Sequence, residues 1–291
     1  MSFFNPEELY KLKNLKFVAD KVVEGFLYGF HKSPYSGVNI EFSEYRPYEF
    51  GDELKNIDWK LWGKTDKLYV KKFEEETNMH VWILLDSSKS MKFENSKDIS
   101  KLFYAKMLSA SLAYIFMRQM DVVGMADFSE KIKSVLPASN KGQHFSNLIK
   151  FLENIKISGN TDFSYSFLNF SRIMKKRGLI ILISDMIDDS ENLKKSISYF
   201  KHRKNQVIVF HIYDKREKDF PYSREKIFID SETNERFRVN ADNIRENYKE
   251  AFKKNQEKIR NICYESGIGY INVSTDDNPV EILNSFFGRR T

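Results

Sequence analysis

The sequence predicts an α/β fold: a doubly wound, mostly parallel sheet with helices on both faces, preceded by a small β-rich N-terminal segment. Three observations predict it. Near-continuous apolar runs recur at residues 81–85, 179–183 and 206–213. They have the length of strands, and strands buried on both faces read this way. Amphipathic stretches of helical length separate them, at 97–117, 145–155, 163–174, 191–202 and 243–266. Parallel strands need such crossover connections. The first 80 residues follow another pattern, with short runs broken by glycine and aromatic residues.

Taken in order, residues 7–23 read as a helix. The runs 25–30, 38–48 and 68–73 read as strands, with turns at Ser33-Pro34, Gly51-Asp52 and Thr65-Asp66. Residues 81–85 (Val-Trp-Ile-Leu-Leu) form the first buried strand. Within 97–117, Leu102, Ala105, Leu108, Leu112, Ile115 and Phe116 recur at helical spacing. Residues 121–128 and 131–136 pair as a hairpin, and 145–155 and 163–174 are helices. A strand at 179–183, a helix at 191–202 and a strand at 206–213 follow. Residues 226–230 and 235–239 read as a small inserted hairpin. The helix 243–266, a strand at 268–273 and a helix at 279–286 complete the chain.

The change of pattern near residue 79 divides the chain into an N-terminal segment, 1–78, and an α/β domain, 79–291. Charge changes at the same place. Residues 1–80 carry 12 Lys+Arg against 14 Asp+Glu, and residues 81–291 carry 35 against 27. The net charge of +6 and pI near 9.0 therefore belong to the second part. They permit nucleic acid or an anionic membrane as partner without requiring either.

Composition excludes several classes. With 41% hydrophobic and 30% charged residues among 291, the chain has the material for a folded core and is not a disordered one. Twelve glycines and six prolines exclude collagen-like and low-complexity chains. A single cysteine, Cys263, excludes an intrachain disulfide and a cysteine-rich zinc site, and points to a reducing compartment. The longest apolar stretch, near 107–117, is too short for a spanning helix, which needs about 20 residues. No basic region followed by an apolar run opens the sequence, so no signal peptide is expected. The cytoplasm is the expected location.

In an open parallel sheet, ligands bind beyond the carboxyl ends of the strands, where the strand order reverses. After the strand 81–85 comes Asp86-Ser87-Ser88-Lys89-Ser90, and after 179–183 comes Ser184-Asp185. Just before the helix at 163 comes Ser158-Gly159-Asn160-Thr161-Asp162. Asp86, Ser88 and Ser90, at every second position of one loop, present a carboxylate and two hydroxyls to one point. Asp185 adds a second carboxylate from a strand about 4.8 Å away, and Thr161 adds a hydroxyl. Two carboxylates so placed repel unless a cation lies between them. An all-oxygen set of this kind suits Mg²⁺ or Mn²⁺, with a position left for water or a partner's carboxylate.

Asp86-x-Ser88-x-Ser90, Thr161 and Asp185 resemble the metal-ion-dependent adhesion site of von Willebrand factor type A domains, over roughly residues 79–275 and with the segments in the same order. The N-terminal half reads Gly29-x-His31-x-Ser33, Gly37, Glu41-Phe42-x-Glu44-Tyr45-Arg46-x-Tyr48, Gly51-Asp52 and Ile57-Asp58-Trp59. With these residues the chain resembles, over nearly its whole length, the bacterial family catalogued as domain of unknown function 58. The resemblance implies a von Willebrand factor A-like fold and Mg²⁺ or Mn²⁺ as the cofactor. It implies a non-enzymatic adaptor or co-chaperone of a MoxR-type AAA+ ATPase, acting in maturation or assembly of client proteins. Many relatives carry two upstream transmembrane helices. None is read here, which implies a short soluble form.

Other features have plainer readings. Arg46, Gly51, Asp52, Asp58 and Trp59 suit an internal brace, in which Arg46 clamps Asp52 or Asp58 bidentately; a docking surface for the ATPase is the alternative. His31, His80, His144, His202 and His211 show no paired metal-ligand spacing, and His211 sits in an apolar strand as a core residue. No Walker A string, Gly-x-Gly-x-x-Gly or nucleophile elbow occurs. Two rival functions remain. An open Mg²⁺ site suits phosphoester hydrolysis, although no general base is visible. Nucleic-acid binding would draw on the basic stretches 175–177 and 201–204, which also sit where helix C-termini favour cations.

Overall fold

The computed structural model describes residue 9 and residues 14–31, 45–49, 59–65, 67–71, 78–93, 99–187, 190–201, 204–230 and 235–288. The chain forms two compact units, one of residues 1–28 with 79–291 and one of residues 29–78. The change of sequence pattern marks a single division, at residue 79.

Helix α1 (Leu15–His31) comes first. Its apolar residues Leu15, Val18, Ala19, Val22, Val23 and Phe26 are buried, a stripe with the 3.6-residue period. The run 25–30, expected as a strand, is thus the end of this helix. The stripe continues past Gly25 to Phe26, whose ring lies 5.3 Å from that of Phe287, and this packing outweighs the weak helix propensity of one glycine. In the smaller unit, β1 (Tyr45–Pro47) pairs antiparallel with β2 (Tyr69–Lys71), with α2 (Trp59–Thr65) between them in sequence. Of the rest of the expected strand 38–48, Tyr48 lies just past β1 with its amide bonded to the Leu68 carbonyl, and residues 38–44 lie outside the described residues.

The larger unit is built on six strands: β3 (His80–Asp86), β4 (Val122–Phe128), β5 (Ile132–Ser139), β6 (Leu179–Ser184), β7 (Gln206–Tyr213) and, after an excursion through a hairpin, β10 (Gly269–Ser274). The hairpin pairs β8 (Glu225–Ile229) with β9 (Arg236–Asn240). In space the six strands run β10-β7-β6-β3-β4-β5. All neighbours are parallel except β4 and β5, which form the expected hairpin. Counted along the sheet from β5, this is the doubly wound order 3-2-1-4-5-6. The order reverses between β3 and β6, so the ligand crevice of such a fold lies at their carboxyl ends.

Helices cover both faces, as the two-sided burial of β3, β6 and β7 requires. Side chains alternate along β3. Trp82 and Leu84 join a core with Phe128 of β4 and with Phe163, Phe167, Phe170 and Phe200, which are supplied by α5 (Phe163–Ile173) and α6 (Ser190–Lys201). Within it Phe167 lies 5.5 Å from Phe128 and 5.0 Å from Phe200, ring to ring. Val81, Ile83 and Leu85 are buried as well and, by the alternation of the strand, point to the other face. There α3 (Lys101–Arg118) packs through Tyr104, Leu108, Leu112 and Phe116. Phe286 of α9 (Pro279–Gly288) meets both Phe116 and Phe210. Helix α4 (His144–Asn154) follows β5.

Several helices carry their own start signals. Ser100 accepts from the Phe103 amide at the head of α3, and Asp162 accepts from the Tyr165 amide at the head of α5. The short α7 (Lys215–Asp219) was not expected. It begins with a capping box, in which Asp214 accepts from Arg216 and the Glu217 carboxylate accepts from the Asp214 amide over 2.7 Å. The long α8 (Ala241–Glu265) buries Ile259, Ile262 and Cys263 near its end.

Candidate functional site

Asp86 is the last residue of β3 and Ser184 the last of β6, so strand pairing brings them to the switch point. Ser184 donates its hydroxyl proton to Asp86 Oδ2 over 2.6 Å. Ser184 Oγ in turn accepts from the Met186 amide, and Met186 takes a left-handed φ of 55°. Asp86 Oδ1 accepts from the Ser88 amide over 2.9 Å. Ser88 and Ser90 then bring their hydroxyl oxygens within 2.9 Å of each other.

Thr161 arrives from a different segment. Its loop is tied to the β3 exit by backbone bonds, Ser158 N–H to Ser87 O and Lys89 N–H to Gly159 O, each 3.0 Å. The ammonium of Lys133 on β5 adds bonds to the carbonyls of Ser87, Lys156 and Ser158 and to the Ser158 hydroxyl. Gly159 makes the turn possible, with φ +73° and a position where a Cβ would come 3.0 Å from Ser129 Oγ. Thr161 Oγ1 then lies 3.4 Å from Asp86 Oδ2.

Four of the five expected residues, Asp86, Ser88, Ser90 and Thr161, are thus joined to one another by hydrogen bonds. Asp185, also buried at the end of β6, has another partner. Its Oδ2 accepts from the Lys101 ammonium over 2.7 Å, and the same ammonium donates to Glu217 Oε1 over 2.7 Å. Lys101, with a side chain wholly out of solvent, is the first residue of α3. Burial works against its charge, but the Asp185 and Glu217 carboxylates outweigh it and hold the ammonium above the usual lysine range. The two aspartates were expected to need a cation between them. For Asp185, the chain itself supplies one.

Among the described residues no cation pairs directly with Asp86; the charge of Lys133 reaches it only from a distance. Burial, and next the negative charge of Asp185, push its carboxyl up to about 6, against the donors Ser184 and Ser88. The donor set fits a hard cation in two respects. It is oxygen only, and the Ser88–Ser90 separation of 2.9 Å equals the edge of an octahedron with metal–oxygen distances of about 2.0–2.1 Å. A hydroxyl pair bonded to itself has the same spacing, so it need not rearrange to face an ion. Among the described residues no cluster of three or more His, Cys, Asp and Glu forms a metal centre. A site here would rest on hydroxyls around one carboxylate.

Solvent reaches the crevice from two sides. A groove of about 920 Å³ is lined by Ser90, Lys89, Lys92, Phe93, Ile157 and Ile187 among others. A smaller pocket of about 200 Å³ touches Lys101, Asp185, His211, Glu217 and Tyr248. His211 is a buried strand residue bonded through Nδ1 to the Tyr270 hydroxyl at 2.8 Å. Burial lowers its pKa to about 4, so it stays neutral. In the N-terminal motif, Gly51, Asp52 and Asp58 lie outside the described residues. Arg46 is a backbone member of β1, and Trp59 is 58% exposed with its ring edge-to-face on Trp62.

A family model described as protein of unknown function DUF58 matches residues 44–258. The chain belongs to the DUF58 family. The match runs from just before β1 into α8, so both compact units contribute to the DUF58 region. This DUF58 chain is 20% identical over 234 residues to the uncharacterized protein Rv1480 of Mycobacterium tuberculosis, covering 79% of this chain and 72% of that protein. It is 24% identical over 107 residues to the uncharacterized protein YeaD of Bacillus subtilis, covering 37% and 24%. Among solved structures, BatB of Bacteroides thetaiotaomicron is similar at 19% identity and a TM-score of 0.47, over 72% of this chain and 98% of that one. The SpRpn10 VWA domain is similar at 11% identity and a TM-score of 0.43, over 71% and 94%. The strand order and the crevice at its reversal make the fold of this DUF58 chain von Willebrand factor A-like, as the sequence led one to expect. Among the described residues no helix is long and apolar enough to cross a membrane.

Proposed function

We propose that the crevice holds a hard divalent cation, Mg²⁺ or Mn²⁺, and that the chain is a non-enzymatic interaction module working through it. Asp86, Ser88, Ser90 and Thr161 would hold the ion, with Asp185 behind them. Bound there, the ion would offer an open position to a carboxylate of a partner protein. The single observation that carries this reading is one buried carboxylate at the switch point, met by the Thr161 and Ser184 hydroxyls and by the Ser88 amide, with the Ser88 and Ser90 hydroxyls paired on the same loop. A buried carboxylate with no cation of its own favours any ion that enters.

The partners we propose are a MoxR-type AAA+ ATPase and a client protein, with the chain as adaptor or co-chaperone in the client's maturation or assembly. The cytoplasm is the compartment this reading assigns, in keeping with one buried, unpaired cysteine, Cys263. Capture from native lysate tests the proposal, with and without EDTA, comparing wild type with Asp86→Ala. An AAA+ ATPase recovered only by wild type and only with metal is the expected result. Equal recovery in EDTA, or by Asp86→Ala, would count against the metal's part. Isothermal calorimetry with Mg²⁺ and Mn²⁺ on the purified chain tests the ion directly.

A further inference from the structure

We infer that Lys101 is a resident cation of the crevice, and that its pairing with Asp185 sets how tightly a divalent ion is held there. The inference rests on the metal reading above and adds to it Lys101 and Glu217, which that reading does not use. Lys101 reaches the crevice from the first turn of α3, with its side chain fully buried and its ammonium 2.7 Å from Asp185 Oδ2 and 2.7 Å from Glu217 Oε1. The oxygen that faces the ammonium is engaged. A divalent ion beside Asp185 would also meet a fixed positive charge in a place with little water to screen it. The expected two-carboxylate site is therefore reduced to the one carboxylate of Asp86.

Glu217 modulates this. Its other oxygen, Oε2, is held by the Asp214 amide in the capping box of α7, so Oε1 stays aimed at Lys101. The ammonium is shared between two carboxylates and presses less on either. Removing Lys101 would return Asp185 to the ion. Removing the charge of Glu217 would leave the whole ammonium to Asp185 and lower the negative charge of the crevice by one. The two substitutions must act in opposite directions on ion affinity, which a merely structural role for the ion pairs does not predict.

The test is calorimetric titration of Mg²⁺ and of Mn²⁺ into the full chain at pH 8, with thermal unfolding recorded with and without ion. The expected result is ion binding at least tenfold tighter in Lys101→Met and at least threefold weaker in Glu217→Gln. If Lys101→Met does not fold without ion, the double variant Lys101→Met/Glu217→Gln, which removes both members of that pair, is expected to bind more tightly than Glu217→Gln alone. Wild type binding while Lys101→Met binds no more tightly overturns the inference and leaves the metal reading standing. Binding by Lys101→Met with none by wild type supports the inference and overturns the metal reading for the natural chain. No binding by any variant overturns both.

Discussion

The Ser184 hydroxyl donates to the Asp86 carboxylate across the junction of β6 and β3, over 2.6 Å and out of contact with solvent. It holds the negative charge of Asp86 where burial opposes it. Ser184→Ala removes that donor and leaves the anion under-solvated, at a cost of about 1–3 kcal/mol for a buried charged acceptor. Urea unfolding in EDTA is expected to show a larger loss at pH 7.5 than at pH 5. At the lower pH Asp86, with its pKa near 6, is mostly protonated and needs the donor less.

Asp86 and His211 give opposite pH dependences. The Asp86 carboxyl is raised to about 6, so the folded chain binds this proton more tightly than the unfolded one. The stability linked to it is full below about pH 4 and is lost as pH rises through about 6. His211 is lowered to about 4, so its share is present above about pH 6.5 and is lost as pH falls through about 4. Without metal the two partly cancel. In Asp86→Asn only the His211 limb remains, and stability is expected to climb between pH 4 and 6.5. At pH 7.5 in EDTA the variant is expected to exceed wild type by as much as about 3 kcal/mol, from 1.36 kcal/mol per pKa unit. Denaturant midpoints across pH 4–8 measure both.

An ion in the crevice would work against that ranking. With millimolar Mg²⁺, wild type is expected to gain thermal stability in proportion to the logarithm of ion concentration, while Asp86→Asn gains none. Differential scanning fluorimetry over an Mg²⁺ series reads this. Parallel shifts in the two proteins would place the bound ion elsewhere.

Gly159→Ala tests the loop that carries Thr161. At φ +73°, with its added Cβ 3.0 Å from Ser129 Oγ, alanine is expected to cost about 1–2 kcal/mol. Because the strain falls two residues from Thr161, ion affinity is expected to drop as well. Gly178→Ala would strain the chain at the opposite end of β6 from the crevice, where its Cβ would meet the His80 carbonyl, and serves as a control for stability alone.

Phe167→Ala probes the core beneath α5. The ring is fully buried between Phe128, Phe163 and Phe200. Its loss is expected to destabilise by about 3–5 kcal/mol, as truncation of buried aromatics generally does, by denaturant unfolding.

The strands of the larger unit were legible because burial on both faces leaves little room for polar residues. Residues 206–213 were read with the same limits the structure has. The error at 25–30 arose because Gly25 and two nearby phenylalanines look like strand punctuation, while the stripe from Val18 to Phe26 that decides the matter needs three turns to be seen. Helix α7, Lys-Arg-Glu-Lys-Asp, has no apolar residue from which to read a period. In the crevice, Asp86, Ser88, Ser90 and Thr161 were legible from their places around strands and helix starts. Lys101 left a fainter trace. It shares the buried stripe of Ala105, Leu108 and Leu112, an unusual place for a lysine. Its partner Glu217 lies 116 residues away, and nothing local to either residue announces the pair.

The separations around Asp86 have a consequence for the order of synthesis. Its donors Thr161 and Ser184 lie 75 and 98 residues further along the chain. During translation Asp86 leaves the ribosome at the end of an apolar strand well before either is made, and pairings so distant in sequence form late. Until β6 docks beside β3, the nascent chain has a lone aspartate there and no crevice. A partner that recognises the assembled constellation therefore engages only chains extended past β6, and a chain truncated or stalled before Ser184 offers it nothing to grip.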